Sequence, residues 1–342
     1  MPIMRDAYGR VARDVRVSLT DRCNLRCTYC MPAEGLDWLP TTDVLTDAEI
    51  VRMITIAVTI LGVQQVRFTG GEPLMRRGLE DIIREISPLT TQDGKPLDIA
   101  LTTNGLGLDK RAAQLKAAGL QRVNVSLDTL DRQRYAQLTR RDRLDGVLNG
   151  LAGADAAGLH PIKVNTVLMQ GVNEDDAVPL LAFCLRHGYQ LRFIEQMPLG
   201  PPHTWKRETM VDANEILRRL GEIFELSQQP APQGSAPAAV WDVRPGSYDG
   251  TPYPGGSVGV IASVTQPFCG ACDRTRLTAD GKIRTCLFSR SETDIRAALR
   301  GGASDMELAE IWAGAMGAKK AGHDIDDPSF VQPARTMSAI GG

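Results

Sequence analysis

The chain has 342 residues, with 39 Lys and Arg against 41 Asp and Glu and a formal net charge of −2. That length allows one large domain or two of ordinary size, with ample room for a core. The balanced charge argues against bulk binding of nucleic acid or a membrane surface. The longest apolar run, 53–63, is broken by Thr55, Thr59 and Gly62 and is too short to span a bilayer. The first ten residues have no apolar signal-peptide core. The expectation is therefore a cytoplasmic chain with no membrane anchor and no nucleic-acid partner. Six of the seven cysteines fall in two tight groups, and thiols in a reducing compartment read as ligands rather than disulfides.

In chain order, Val15, Val17 and Leu19 alternate with Arg16, Ser18 and Thr20, a period-2 strand. Cys23, Cys27 and Cys30 follow at spacing C-x3-C-x2-C. Thiolate sulfur suits zinc, copper(I) and iron–sulfur clusters. Structural zinc normally takes four protein ligands, and no fourth Cys or His stands near, so a zinc knuckle would need a distant ligand. A cubane 4Fe–4S cluster on three thiolates keeps one iron open to a small molecule. A helix then begins at Thr46, an N-cap with Glu49 completing a capping box and Leu45 and Ile50 forming a staple. Ile50, Met53, Ile54, Ala57 and Leu61 mark its buried stripe, and Gly62 fits the C-cap.

Strand then follows helix repeatedly. Strands are expected at 65–69, 97–103, 122–127, 162–168 and 191–195, with helices around 78–88, 109–118, 143–157 and 174–187. This alternation argues a parallel α/β sheet. One strand face is apolar: Val15/Val17, Val66/Phe68, Ile99/Leu101, Val123/Val125 and Ile162/Val164. The other carries Arg16/Ser18, Arg67/Thr69, Thr102/Asn104, Asn124/Ser126 and Lys163/Asn165. Polar groups repeated on one face cannot be buried dry without large cost. That face is expected to line a wet cavity, as in an incomplete barrel. Gly70-Gly71-Glu72-Pro73 makes a tight turn after the second strand.

Residues 227–239 are rich in Pro and Ala and read as a loop or linker. Beyond them the alternation stops, with strands expected near 257–264 and 282–285 and helices near 291–300 and 304–317. The second cysteine group is Cys269, Cys272 and Cys286, again without a local His. Alone, it also fits part of a zinc ribbon. Arg274 and Arg276, two apart, share a face if they lie on a strand, and guanidinium forks suit phosphate oxygens. Cys184 reads as a core thiol. His160, His187, His203 and His323 show no ligand spacing.

The first triplet, with Tyr29 before its last Cys, resembles the signature of the radical S-adenosylmethionine superfamily. The longer context resembles the GTP 3′,8-cyclases within it. That context comprises Arg16 to Asp21, Met31-Pro32, Cys269-x2-Cys272-Asp273-Arg274-Thr275-Arg276, Cys286-Leu287-Phe288 and the terminal Gly341-Gly342. The resemblance implies an α/β fold: an incomplete (β/α)6 TIM-like barrel with a smaller C-terminal α+β cluster-binding extension. It places a radical SAM barrel at 1–226 and a second-cluster and substrate domain at 227–342.

By the same resemblance, two 4Fe–4S clusters and S-adenosylmethionine are the cofactors. The cluster on Cys23, Cys27 and Cys30 cleaves S-adenosylmethionine to a 5′-deoxyadenosyl radical, and Tyr29, Gly71, Ser126 and Met197 contact the cofactor. The cluster on Cys269, Cys272 and Cys286 holds guanine. Arg16, Arg67, Thr102, Lys163, Arg274, Thr275 and Arg276 contact GTP, and the Gly341-Gly342 tail enters the active site. The implied reaction converts GTP to 3′,8-cyclo-7,8-dihydro-GTP, the first step of molybdenum cofactor synthesis. The implied partners are a low-potential electron donor such as flavodoxin or ferredoxin and a downstream cyclic pyranopterin monophosphate synthase, with a homodimer as one expected assembly. Two other readings stay open at the level of sequence: a radical SAM enzyme that modifies a peptide with an auxiliary cluster, and a non-catalytic iron–sulfur redox sensor.

Overall fold

Period-2 strands and amphipathic helices alternate along the chain and build one large sheet. The computed structural model describes residues 2–202, 204–230 and 234–341. In chain order the first part comprises β1 (Asp14–Ser18), α1 (Asp47–Thr59), β2 (Gln65–Thr69), α2 (Leu79–Ile86), β3 (Asp98–Thr103), α3 (Leu108–Ala118), β4 (Arg122–Ser126), α4 (Arg132–Thr139), α5 (Leu144–Ala156), β5 (Ile162–Val167), α6 (Ala177–Arg186) and β6 (Gln190–Ile194). Then come α7 (Ala213–Gly221), β7 (Leu226–Gln228), β8 (Ala239–Val243), β9 (Gly246–Tyr248), β10 (Thr251–Tyr253), β11 (Gly256–Ile261), β12 (Arg274–Leu277), β13 (Lys282–Arg284), β14 (Thr293–Asp294), α8 (Arg296–Arg300), α9 (Asp305–Gly317) and α10 (Met337–Ile340).

The sheet runs β14-β13-β12-β1-β2-β3-β4-β5-β6-β11-β8-β7. From β12 to β11 every neighbouring pair is parallel. The six consecutive strands β1 to β6 thus gain a parallel strand on each edge from the C-terminal part of the chain. The two ends of the run, β14 and β7, are not paired with each other, so the barrel is incomplete. Val15, Val17, Val66, Phe68, Ile99, Leu101, Val123, Val125, Ile162 and Val164 form the apolar face and are fully buried in the main core. Among the described residues, no helix is long and apolar enough to cross a membrane.

Thr46 caps α1 through the expected capping box with Glu49. The helix ends earlier than expected: Ile60 is its C-cap, and Gly62, at φ +76°, turns the chain just beyond. Of the two readings of the 227–239 segment, loop and linker, the structure favours the loop. Its ends belong to β7 and β8, which pair antiparallel, and Pro237 reaches the main cavity. Residues 231–233 lie outside the described residues.

Helices α4 and α7 carry weak or overlooked signals. In α4 only Tyr135, Leu138 and Thr139 are buried, too few for a stripe. In α7, Asp212 caps Glu215 N, and this Asp-x-x-Glu start with Ile216 and Leu220 behind it is a readable helix signal. The β9–β10 hairpin is only three residues on each side, below the length at which alternation is distinctive.

Trp312 of α9 is fully buried against the sheet, and its Nε1 donates to Thr275 Oγ1 at 2.9 Å. Trp312→Ala should cost about 3–5 kcal/mol by opening a cavity and removing this bond, read as a lower denaturant midpoint. A loss below about 1 kcal/mol would contradict this packing.

Candidate active site between two cysteine triplets

Side chains alternate on every strand, so the face opposite the apolar core meets in one place. There, near the carboxyl ends of the parallel strands, lies a cavity of about 280 Å³. This is where parallel barrels place their chemistry. Arg16, Arg67, Thr102, Ser126, Met197, Arg274 and Arg276 line it together with Cys23, Cys27, Tyr29, Cys30 and Gly71. Most of the polar residues singled out in the sequence therefore share one space.

The first triplet sits on a loop clamped to the end of β2. Gly71 N donates to Thr20 O and Glu72 N to Arg22 O, both at 2.8 Å. A Cβ at Gly71 would stand 2.3 Å from Arg22 O, so the glycine lets the two turns touch backbone to backbone. Glu72 is buried and accepts from Asn104 N at 2.7 Å, Thr103 Oγ1 at 2.7 Å and Leu74 N at 2.9 Å. Burial nevertheless pushes its pKa up to about 7. Tyr29 Oη donates to Asp128 Oδ2 at 2.7 Å, which ties the loop to the end of β4, and burial raises Asp128 to about 6.

Cys23, Cys27 and Cys30 are free thiols. Burial raises all three, most strongly at Cys27, and neighbouring thiols push Cys27 and Cys30 further, Cys30 to about 12. Crowded, buried thiols are poor isolated anions and good ligands once a metal takes them as thiolates. Among the described residues, no three His, Cys, Asp or Glu side chains are grouped to hold a metal ion. Cys23, Cys27 and Cys30 nevertheless line one cavity together, and a set of three thiols is the donor chemistry of an iron–sulfur cluster.

Cys269, Cys272 and Cys286 line an adjoining cavity of about 70 Å³ with Phe268, Phe288 and His323. Met197, Ser263, Phe268, Arg274, Arg276 and Leu287 line both cavities, so one wall separates the triplets' spaces. Burial raises Cys269. Burial also acts to raise Cys272, but Lys319 and Arg274 outweigh it and hold that thiol below its ordinary value. Arg10 braces this loop through a 2.6 Å bond to Cys269 O. His323 has its Nε2 3.0 Å from Ser263 O.

Register lines up the cations. Arg276 of β12, Arg16 of β1 and Arg67 of β2 are direct neighbours across three parallel strands, about 4.8 Å apart between strands. Burial and mutual repulsion pull Arg16 and Arg276 down to about 9. Burial pulls Arg67 to about 10. Asp14 lies 3.7 Å from Arg16 and 3.8 Å from Arg274. The Nε atoms of Arg16, Arg67 and Arg274 are buried without a hydrogen-bond partner. Arg192 of β6 also lines the cavity, and burial lowers it to about 10. It sits on the polar face of β6, opposite Leu191 and Phe193, and the same alternation that marked Arg16 and Arg67 would have found it. Asn104 lines the cavity as the polar-face alternation predicts, and Asp128 is a further lining residue that the sequence reading did not assign to the site.

Two expected contacts lie elsewhere. Thr275 faces the helices, where its hydroxyl accepts from Trp312, because alternation sends it opposite to Arg274 and Arg276. Lys163 is not on the cavity wall, but Arg192, Arg122 and Arg67 act on its charge, and burial followed by their repulsion lowers it to about 7. The tail does reach the site. Gly341 O accepts from Arg276 Nη1 at 2.9 Å, and Ile340 O accepts from Ser18 Oγ at 3.0 Å. A Cβ at Gly341 would stand 2.0 Å from Ser18 Oγ. Gly342 and His203 lie outside the described residues. Cys184 is a buried core thiol.

The radical SAM superfamily profile matches residues 17–184, and the Molybdenum Cofactor Synthesis C profile matches residues 189–325. The GTP 3′,8-cyclase of Corynebacterium glutamicum is 64% identical over 340 residues, covering 99% of this chain and 89% of its own. That of Streptomyces coelicolor is 61% identical over 341 residues, covering 99% and 96%. That of Mycolicibacterium smegmatis is 59% identical over 337 residues, covering 98% and 91%. Two adjoining cysteine triplets, a buried row of arginines and near full-length likeness converge on one conclusion: the chain belongs to the GTP 3′,8-cyclase family of radical SAM proteins.

Proposed function

We propose that this chain cyclises GTP to 3′,8-cyclo-7,8-dihydro-GTP, the first step of molybdenum cofactor biosynthesis. The observation that carries the substrate is the row of buried guanidiniums beside both cysteine triplets. Arg16, Arg67, Arg192, Arg274 and Arg276 line one cavity, and Asp14 is the carboxylate within reach of Arg16 and Arg274. Such an excess of buried positive charge is costly until a polyanion enters. A triphosphate meets that need, and a peptide substrate would leave most of these charges unmatched.

The assignments follow from position. Cys23, Cys27 and Cys30 would hold one 4Fe–4S cluster, and Cys269, Cys272 and Cys286 the other. Once reduced by one electron from the external donor, that first cluster would supply the electron that cleaves S-adenosylmethionine to methionine and the 5′-deoxyadenosyl radical that takes hydrogen from ribose C3′. Gly71, Ser126, Met197 and the Tyr29 backbone shape the cofactor's side of the cavity. Arg16, Arg67, Arg192, Arg274 and Arg276 hold the triphosphate, Thr102 adds a hydroxyl, and Lys163 adds charge from behind. Guanine faces the second triplet. Gly341 closes the site from the tail, where a bare backbone passes Ser18. The protein's part is orientation and exclusion of water. Residues 1–226 carry the barrel and 227–342 the second triplet and tail. A low-potential one-electron donor of the flavodoxin or ferredoxin type and an enzyme that consumes the cyclised nucleotide complete the setting, which suits a reducing, cytoplasmic compartment.

The test is anaerobic turnover with reductant, S-adenosylmethionine and GTP, with the cyclised nucleotide quantified by mass spectrometry. Arg67→Met and Arg276→Met should each raise the GTP dissociation constant about tenfold or more, since a charge-assisted hydrogen bond contributes about 1.5–3 kcal/mol. An unchanged constant in both would remove the triphosphate assignment.

Lys163 gives a pH dependence. Its pKa is lowered to about 7 by burial and then by Arg192, Arg122 and Arg67. A bound phosphate favours the ammonium and raises that value. Affinity for GTP should therefore be full below about pH 7 and fall as pH rises, by up to about tenfold per unit, until the pKa of the complex is passed. Dissociation constants measured across that range should flatten in Lys163→Met. The same slope in the variant would assign the dependence to another group.

A further inference from the structure

Lys319, two residues beyond α9, is buried to 4% exposure. Its ammonium donates to Cys272 O at 3.1 Å, to Cys272 Sγ at 3.3 Å and to Arg274 O at 2.8 Å. An ammonium has three protons, and these three acceptors match them. Among the described residues, no carboxylate joins them. Burying a lysine without an anion is costly, and the one partner here able to become an anion is the cysteine sulfur. The arrangement fits a thiolate held as a metal ligand.

The first triplet is furnished differently. Among the described residues, the hydrogen bonds to its sulfurs come from neutral donors, Leu25 N at 3.4 Å and Asn104 Nδ2 at 3.9 Å on Cys23, while Arg26 acts on Cys23 by its charge without a bond to the sulfur. Hydrogen bonds to ligand sulfurs and nearby charge set the potential of an iron–sulfur cluster. A buried ammonium favours the state with one more electron. The bond to Arg274 O also ties the cysteine loop to the start of β12, the strand that carries Arg276.

We infer that Lys319 is a positioning residue of the second cysteine triplet, which fixes the Cys272 sulfur by its hydrogen bond and makes a cluster bound there easier to reduce. This rests on the reading of that triplet as a cluster site.

The test uses the full-length chain carrying C23A, C27A and C30A, so that iron at the second triplet is observed alone. After anaerobic reconstitution, iron and sulfide per chain are measured, followed by a redox titration read by electron paramagnetic resonance. With Lys319 present, one cluster should titrate as a single wave. In K319M, the ratio of oxidised to reduced cluster at a fixed potential should rise about tenfold, a downward shift of about 59 mV for one electron. K319R, which keeps the charge, should recover most of it. Loss of iron from a K319M chain with a normal circular dichroism melt also supports the role. K319Q then supplies the titration, and an unchanged midpoint in whichever variant holds its cluster overturns the inference. Absence of iron from the Lys319 chain would instead overturn the two-cluster reading beneath it.

Discussion

Three guanidiniums standing side by side on adjacent parallel strands set the terms for the rest of this molecule. The Arg276–Arg16–Arg67 row arises from register and cannot relax without slipping a strand, which would turn every apolar side chain out of the core. Asp14 lies within reach of only part of it. Like charges in neighbouring positions repel, and burial denies them water. The cavity is therefore built to be completed by an anion, and the fold tolerates the cost because the opposite face of the same strands is tightly packed and apolar apart from Thr275, whose hydroxyl is bonded to Trp312. A substrate that brings several negative charges gains from all of these cations at once.

The chemistry is placed by the same strands. The first cysteine loop leaves β1, rests on the Gly71 turn after β2, and is tied by Tyr29 to Asp128 beyond β4. The second cysteine group begins just before β12, which pairs with β1. One shared wall, including Arg274, Arg276 and Met197, borders both triplets. A molecule spanning the two cavities would have its charged end among the arginines and its other parts between the cysteines. The C-terminal segment closes the arrangement through Gly341 O on Arg276 and Ile340 O on Ser18.

Much of this was readable in the sequence, for a physical reason. Wherever one strand face is apolar and the other carries Arg, Thr, Asn or Ser, period-2 alternation alone places the polar set together, and so Arg16, Arg67, Thr102 and Ser126 share the cavity. The same rule, applied to β12, excludes Thr275, which faces Trp312. It also finds Arg192, whose neighbours Leu191 and Phe193 mark the buried face of β6. What could not be read was long-range closure. That β11 and β12 extend opposite edges of a six-strand core depends on pairings between distant segments, for which no local pattern exists. Composition read the Pro- and Ala-rich stretch as a loop or linker without choosing between them, because both use the same residues, and the antiparallel pairing of β7 with β8 decides for a loop. Lys319 carried no signal at all. A lone lysine past a helix looks solvated until the fold brings Cys272 beneath it.

The central claim is that the cavity orients GTP so that ribose C3′ faces the first cysteine triplet. The most direct test is anaerobic turnover of GTP deuterated at ribose C3′, with the 5′-deoxyadenosine product analysed by mass spectrometry. The account predicts deuterium in the 5′-deoxyadenosine, in proportion to the cyclised nucleotide formed. Cleavage of S-adenosylmethionine without transfer of label, at a rate indifferent to GTP, would contradict it.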